Sequence, residues 1–324
     1  MEWHIERMKT ELQSTPDGLT LDQIMQHFNT DEAARAYWES IHWPNGAVCP
    51  HCGNADAKSI WKIEANKEKK IRAGLHQCGK CDKQFTSTIG TIFEDSHIPL
   101  RKWLIAFYLN SASKKGISSL QLQRILALGS YRTALFMQHR IRHSLKETGF
   151  DAKMTGTVEC DETYIGGKVK RPFKGAPLPD NKVPVVSLLQ RDGTVRSQVV
   201  KRVTGRNLKI VLRRNVEPSA TIMTDNLFAY RKATSGFNTH ESVNHSAGEY
   251  ARGLAHTNGV EGFFSLLKRG VIGTFHHVSE QHLPLYLAEF DHRHNCRKIT
   301  DGERTVIALK KAVGKRLTYR RPVD

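Results

Sequence analysis

No stretch of the 324 residues approaches the ~18 consecutive apolar residues that a membrane-spanning helix requires, so no membrane partner is expected. The opening residues 1–13, MEWHIERMKTELQ, lack both the basic and the apolar stretch of a secretory signal, which predicts a cytoplasmic protein. GxxxxGK[ST] is absent, so a nucleotide-cradling loop is not indicated. Acidic residues are also short: 32 Asp and Glu stand against 49 Lys and Arg, for a net charge of +17. That imbalance predicts a polyanionic partner, most often nucleic acid. Hydrophobic residues at 39% and charged residues at 25% are ordinary for soluble proteins, and the length suits two or three domains.

The charge is unevenly placed. Residues 1–45 carry three Lys or Arg against eight Asp or Glu, whereas residues 301–324 carry seven against three. We therefore read residues 1–44 as an acidic helical segment and 301–324 as a basic tail able to clamp phosphates through Lys310, Lys311, Lys315, Arg316, Arg320 and Arg321.

Four of the six cysteines form Cys49-Pro-His-Cys52 and Cys78-Gly-Lys-Cys81. Two CxxC knuckles at this separation have the ligand spacing of a zinc ribbon, because each pair chelates through a tight turn and four thiolates complete a tetrahedron around Zn²⁺. Gly53 and Gly79 are expected to supply positive φ at the knuckles. Between them, residues 60–63 and 70–76 flank a charged turn and read as a hairpin with a basic tip. The ribbon is assigned to residues 45–90. Its small core leaves much of its folding free energy to the metal, and its job is holding DNA or a partner.

Residues 91–150 show apolar residues at helical spacing. Within them, Ile117 to Ala134 reads as two helices broken at Gly129-Ser130, with Ser118 or Ser119 capping the first and Ser130 the second. A short glycine-containing turn between helices is the helix-turn-helix pattern, which would offer Arg132, Gln138, His139, Arg140 and Arg142 to a DNA groove.

Near residue 155 the pattern turns to strands: 156–167, 183–189 and 194–203, then a helix over 207–214, then a strand over 220–225. Three strands, a helix and a strand begin a ribonuclease H-like α/β domain, assigned to 151–300. Asp161 then lies on the first strand and Asp225 at the end of the fourth, neighbours in such a sheet and a hard-oxygen site for Mg²⁺ or Mn²⁺. A third acid is expected from a later helix. Glu261 lies 35 residues beyond Asp225, and Asn258, one turn earlier, is the alternative third ligand. On that helix Val260, Phe264, Leu267 and Val271 form an apolar stripe, while Glu261, Ser265 and Lys268 share the adjoining face. The acid can thus complete a metal site while Lys268, followed by Arg269, meets DNA phosphates.

Several neighbours keep two readings. Glu159 is expected on the strand face of Asp161 and Glu162 on the opposite face, where each either assists or faces solvent. His256 either contacts substrate or packs before the helix. Gly166-Gly167-Lys168 permits a tight turn and a close approach of backbone to DNA.

Together the two knuckles, Asp161-Glu-Thr-Tyr-Ile-Gly-Gly-Lys168, Thr224-Asp225, the run from His256 to Gly270 and that from Gly273 to Glu280 resemble the bacterial insertion-sequence DDE transposases that carry an N-terminal zinc ribbon, the ISXO-type relatives of the Merlin elements. The likeness spans about residues 20–300. It implies a ribonuclease H-like core and divalent-metal-dependent cleavage at element ends with strand transfer into target DNA. It also implies a homo-oligomer on DNA, in the cytoplasm at the nucleoid. By position Asp161 and Asp225 are the first two acids, Glu261 or Asn258 the third, and Lys268 the basic residue after it. The family shows either residue in the third place; the interval and the face shared with Lys268 favour Glu261. Two other functions fit the same residues: a DNA-binding derivative that does not cut, and a nuclease or resolvase on the same fold.

Overall fold

A computed structural model describes residues 20–147, 152–167, 182–244, 247–249 and 251–318. The chain divides into two compact units, one built from the chain up to Leu145 together with the segment from Lys298 onward, the other from Lys146–Arg297. Among the described residues no helix is long and apolar enough to cross a membrane.

The first unit opens with α1 (Leu21–His27) and α2 (Asp31–His42). Thr20 and Gln23 form a capping box on α1, and Thr30 caps α2 by accepting from the Ala33 amide. Helix α2 buries Trp38 fully, and its indole donates to the Ser87 carbonyl at 2.8 Å, tying the helix to the turn that follows the ribbon's last strand. The ribbon is a three-stranded antiparallel sheet of β1 (Ile60–Ile63), β2 (Leu75–Cys78) and β3 (Gln84–Thr86). The hairpin is there, but its second strand starts at Leu75, later than the sequence suggests.

Helices α3 (Leu100–Ala112), α4 (Ser119–Ile125) and α5 (Tyr131–Leu145) follow. Ser118 caps α4 and Ser130 accepts from the Thr133 amide at the start of α5, as expected. The groove assignment of α5 needs correcting. Arg132 is exposed, but Gln138, His139, Arg140 and Arg142 are buried. Arg140 donates at 2.9 Å to the carbonyls of both Ile92 and Glu94, so its guanidinium organises the core of this unit. The basic tail is corrected too. Residues 301–310 form a helix, α10 (Asp301–Lys310), with its own Thr300–Glu303 capping box, and Arg304 donates to the Ser111 carbonyl of α3 at 2.7 Å. Beyond it, Lys315 donates to the Ser144 carbonyl and Arg316 pairs with Glu94 at 3.1 Å and with Asp95. Arg320 and Arg321 lie outside the described residues.

The second unit is mixed α/β. Strands β4 (Thr157–Ile165), β5 (Val183–Gln190), β6 (Val195–Val199), β7 (Thr221–Asp225) and β8 (Thr239–Val243) form one sheet in the order β6-β5-β4-β7-β8. The first three pair antiparallel; β7 runs parallel to β4, and β8 parallel to β7. Strand β6 stops at Val199, short of the expected 203. Alternate residues serve opposite cores, as the two-residue repeat of a strand requires. Val158, Cys160, Val186 and Leu188 pack on α6 (Gly205–Asn215) and α7 (Phe228–Ala233). Val185 and Leu189 pack on α8 (Asn258–Gly270) and α9 (Leu283–Asn295). Helix α8 buries Val260, Phe263, Phe264 and Leu267, and leaves Lys268 and Arg269 exposed. Its last turn runs into a π-helical turn, Val271–Phe275.

Candidate metal centres

The described residues hold two groups of side chains able to ligate a metal. In the ribbon they are Cys49, Cys52, Cys78 and Cys81, with all four sulfurs within 4.8 Å of one another. Cys49 and Cys81 stand 3.7 Å apart, as do Cys52 and Cys78. A tetrahedral Zn²⁺ with bonds of about 2.3 Å would set its sulfurs about 3.8 Å apart, which these two pairs match. Each knuckle closes on its first cysteine. The Gly53 amide donates to the Cys49 carbonyl at 2.9 Å and the Asp82 amide to the Cys78 carbonyl at 2.8 Å. Gly53 has the expected positive φ of 71°, but in the second knuckle Asp82 takes that conformation, at 54°, and Gly79 does not. Gly79 answers a close approach instead, since a Cβ there would sit 3.1 Å from the Trp61 ring.

The second group is Asp161, Glu162 and Asp225, each half-buried, with carboxylate oxygens within 4.8 Å of one another. Sheet register brings them together. Cys160 lies opposite Thr224 in the parallel β4–β7 pair, so the next residues, Asp161 within β4 and Asp225 at the end of β7, stand side by side where that pairing stops. Asp161 accepts the Glu162 amide at 2.8 Å, and Asp225 accepts the Leu227 amide at 3.1 Å.

Strand alternation predicts that Glu162 diverges from Asp161. Its Cα does alternate, since Cys160, on its side of the strand, packs towards α7, and Tyr230 of α7 donates to Glu162 at 2.7 Å. Yet its two-carbon stem brings its carboxylate within 4.8 Å of the other acids, beside the end of β7. Burial, and then the charges of Glu162, Asp225 and Glu261, push the Asp161 carboxyl up to about 7, although the Glu162 amide opposes them. Burial and Asp225 raise Glu162 also, against the hydrogen bond from Tyr230. Converging carboxylates held partly out of water repel one another, and a divalent cation relieves that repulsion; the oxygen donors suit Mg²⁺ or Mn²⁺.

Glu261 is outside this tight group but near enough for its charge to act on Asp161, and it accepts the Thr257 hydroxyl at 2.8 Å. Asn258 is the first residue of α8. Glu159 is not solvated. It is 1% exposed, and with Arg191 and His256 it forms a cluster at the start of α8. Gly166 and Gly167 follow β4 as irregular chain, and Lys168 lies outside the described residues. Sequence reasoning does not single out Tyr230, whose one signal is its place as an aromatic shortly after Asp225.

Residues 153–295 match the ISXO2-like transposase domain, and residues 29–84 match the transposase zinc-ribbon domain. The chain is also similar to an uncharacterized protein in transposable element ISH50 of Halobacterium salinarum. The two are 29% identical over a match covering 82% of this chain and 91% of the relative.

Proposed function

We propose that this chain, which matches an ISXO2-like transposase domain and a transposase zinc-ribbon domain, is an insertion-sequence DNA transposase that cuts at the element's ends and joins them to target DNA. The observation that carries this reading is the convergence of Asp161 and Asp225 on adjacent parallel strands, with Glu162 in the same cluster. A sheet order of β6-β5-β4-β7-β8 with helices on both faces supports a ribonuclease H-like core.

Asp161 and Asp225 would hold Mg²⁺ or Mn²⁺, with Glu261 or Asn258 contributing from α8. Bound there, one or two such ions would activate the attacking oxygen and stabilise the leaving one in an in-line displacement at phosphorus. The chain's own residues supply the placement. Asp161 and Asp225 are fixed by backbone amides, and Tyr230 holds Glu162 towards them. Glu261 is favoured over Asn258 by its 35-residue interval from Asp225 and by the helix face it shares with Lys268. Lys268 and Arg269, exposed further along α8, are suited to phosphates, as is Arg132 in the first unit. The four cysteines would hold a structural Zn²⁺. We also assign the protein a cytoplasmic site of action and homo-oligomers on DNA, since two element ends must be processed together.

The test is cleavage and joining on a duplex carrying the element's end, with Mg²⁺ or Mn²⁺. Both steps should be lost in Asp225→Ala and Glu261→Ala but kept in Asn258→Ala. A wild type that binds ends tightly and never cuts would instead mark a non-catalytic DNA-binding derivative. One that cuts without joining would mark a nuclease.

A further inference from the structure

Two residues before Asp161 on β4, a second carboxylate points to the same side of the sheet and never reaches the cation cluster. Glu159 is 1% exposed and fully engaged. One oxygen accepts the Val260 amide in the first turn of α8 at 3.0 Å. The other accepts Nε of Arg191 at 2.9 Å and faces Nδ1 of His256 at 3.3 Å. Arg191 closes the ring by donating to the His256 carbonyl at 3.1 Å. Burying a carboxylate is costly unless charge and hydrogen bonds compensate it, and here a guanidinium, a helix amide and the positive end of the α8 dipole all do. The approach is so close that a Cβ at Gly259 would lie 2.8 Å from the Glu159 carboxylate. The contact joins the strand of Asp161 to the helix of Asn258 and Glu261, one residue from each.

We infer that Glu159 is a positioning residue. Its clamp with Arg191, His256 and the Val260 amide sets the distance between β4 and the start of α8, and so determines whether the α8 ligand reaches the cation held by Asp161 and Asp225. This rests on the cation reading given above. A carboxylate that acts through a neighbouring ligand changes metal affinity about 10–100-fold when removed, whereas one that only fills the core changes stability alone.

Mn²⁺ titration calorimetry on the full, zinc-loaded chain, at a temperature well below melting, separates the two. Glu159→Gln keeps an acceptor for Val260 and loses the negative charge that faces Arg191; its Mn²⁺ dissociation constant should rise about tenfold or more. Gly259→Ala, which keeps the carboxylate but pushes the helix off it, should shift affinity in the same direction. In a chain already carrying Asn258→Ala and Glu261→Ala, adding Glu159→Gln should change affinity less than about twofold, because the ligand it positions is gone. Unaltered affinity in Glu159→Gln beside a lowered melting midpoint overturns the clamp and leaves a core ion pair. So does an equal loss in both backgrounds. Should Glu159→Gln fail to fold, unaltered affinity in Gly259→Ala overturns it. A wild type that binds no Mn²⁺ overturns the cation reading and the clamp with it, whereas wild-type binding that Asp225→Ala abolishes and Glu159→Gln spares overturns the clamp alone.

Discussion

The two candidate metal centres are built in opposite ways. In the ribbon, each ligand pair lies three residues apart on one tight turn, and two hairpin-linked knuckles complete the set. In the second unit, Asp161 and Asp225 come from strands joined only through β5, β6 and α6, and their approach depends on sheet register. Four thiols in a module with little core make a closed site, in which an ion would contribute to folding. Half-buried carboxylates on a sheet with two hydrophobic cores make an open site whose fold rests on those cores and whose like charges repel one another. The first metal is therefore read as structure and the second as chemistry.

The strongest break of that contrast is metal removal. Cys78→Ser, or a chelator, should unfold the ribbon, since structural Zn²⁺ contributes about 10–16 kcal/mol in comparable sites. Hydrogen exchange should show lost protection in β1–β3 and unchanged protection in β4–β8. Loss in both would mean that the second unit leans on the ribbon's metal.

Asp225→Ala should do the converse. Strand transfer should fall by about a thousandfold or more, while the thermal midpoint of the second unit holds or rises, because one repelling carboxylate has gone. A large fall in the midpoint would instead make Asp225 a structural residue. The legibility of the two sites follows the same division. Cys49 to Cys81 can be read from spacing, because the ligand pairs are local. Asp161 and Asp225 are legible through strand order. Glu162 is not: strand alternation describes where Cα–Cβ bonds point, and a long side chain beside the end of the neighbouring strand β7 escapes it. The same alternation puts Glu159 on the right face, but nothing in the sequence announces Arg191, 32 residues on, as its partner.

A further carboxyl with a raised pKa provides a control away from the candidate site. Asp291 on α9 is buried against Ser197, whose amide and hydroxyl both donate to it at 2.8 and 2.7 Å. Burial dominates those bonds and pushes it up to about 7. A carboxyl raised on folding binds its proton more tightly in the folded chain. Its contribution is therefore full below about pH 4 and lost as pH rises through about 7. Each tenfold tightening of the proton is worth about 1.4 kcal/mol, which sets the scale at a few kcal/mol. Asp291→Asn should reduce, without abolishing, the fall in stability of the second unit between pH 4 and 7 in denaturant titrations, because Asp161 is raised over the same range. If the slope is unchanged, Asp291 does not contribute to it.

The smallest effects separate two arginines that look alike in the sequence. Helix α5 is buried around most of its second half, so a charged residue there does not mean a solvated face, whereas Arg132 in its first turn is exposed. In the basic C-terminal segment the corresponding signal is the capping box Thr300-Asp-Gly-Glu303, which marks a helix start that the charge count alone conceals. Arg140→Ala should lose its bonds to Ile92 and Glu94 and cost about 2–4 kcal/mol of stability in the first unit. Arg132→Ala should leave the unfolding curve within about 0.5 kcal/mol of wild type. If Arg132 meets a phosphate, its loss lowers the slope of log K against log salt by about one, uniformly across DNA sequences. Fluorescence anisotropy over a salt series reads that slope. An unchanged slope would remove α5 from the DNA interface altogether, leaving the positive excess of the first unit to act through the ribbon or its other exposed cations.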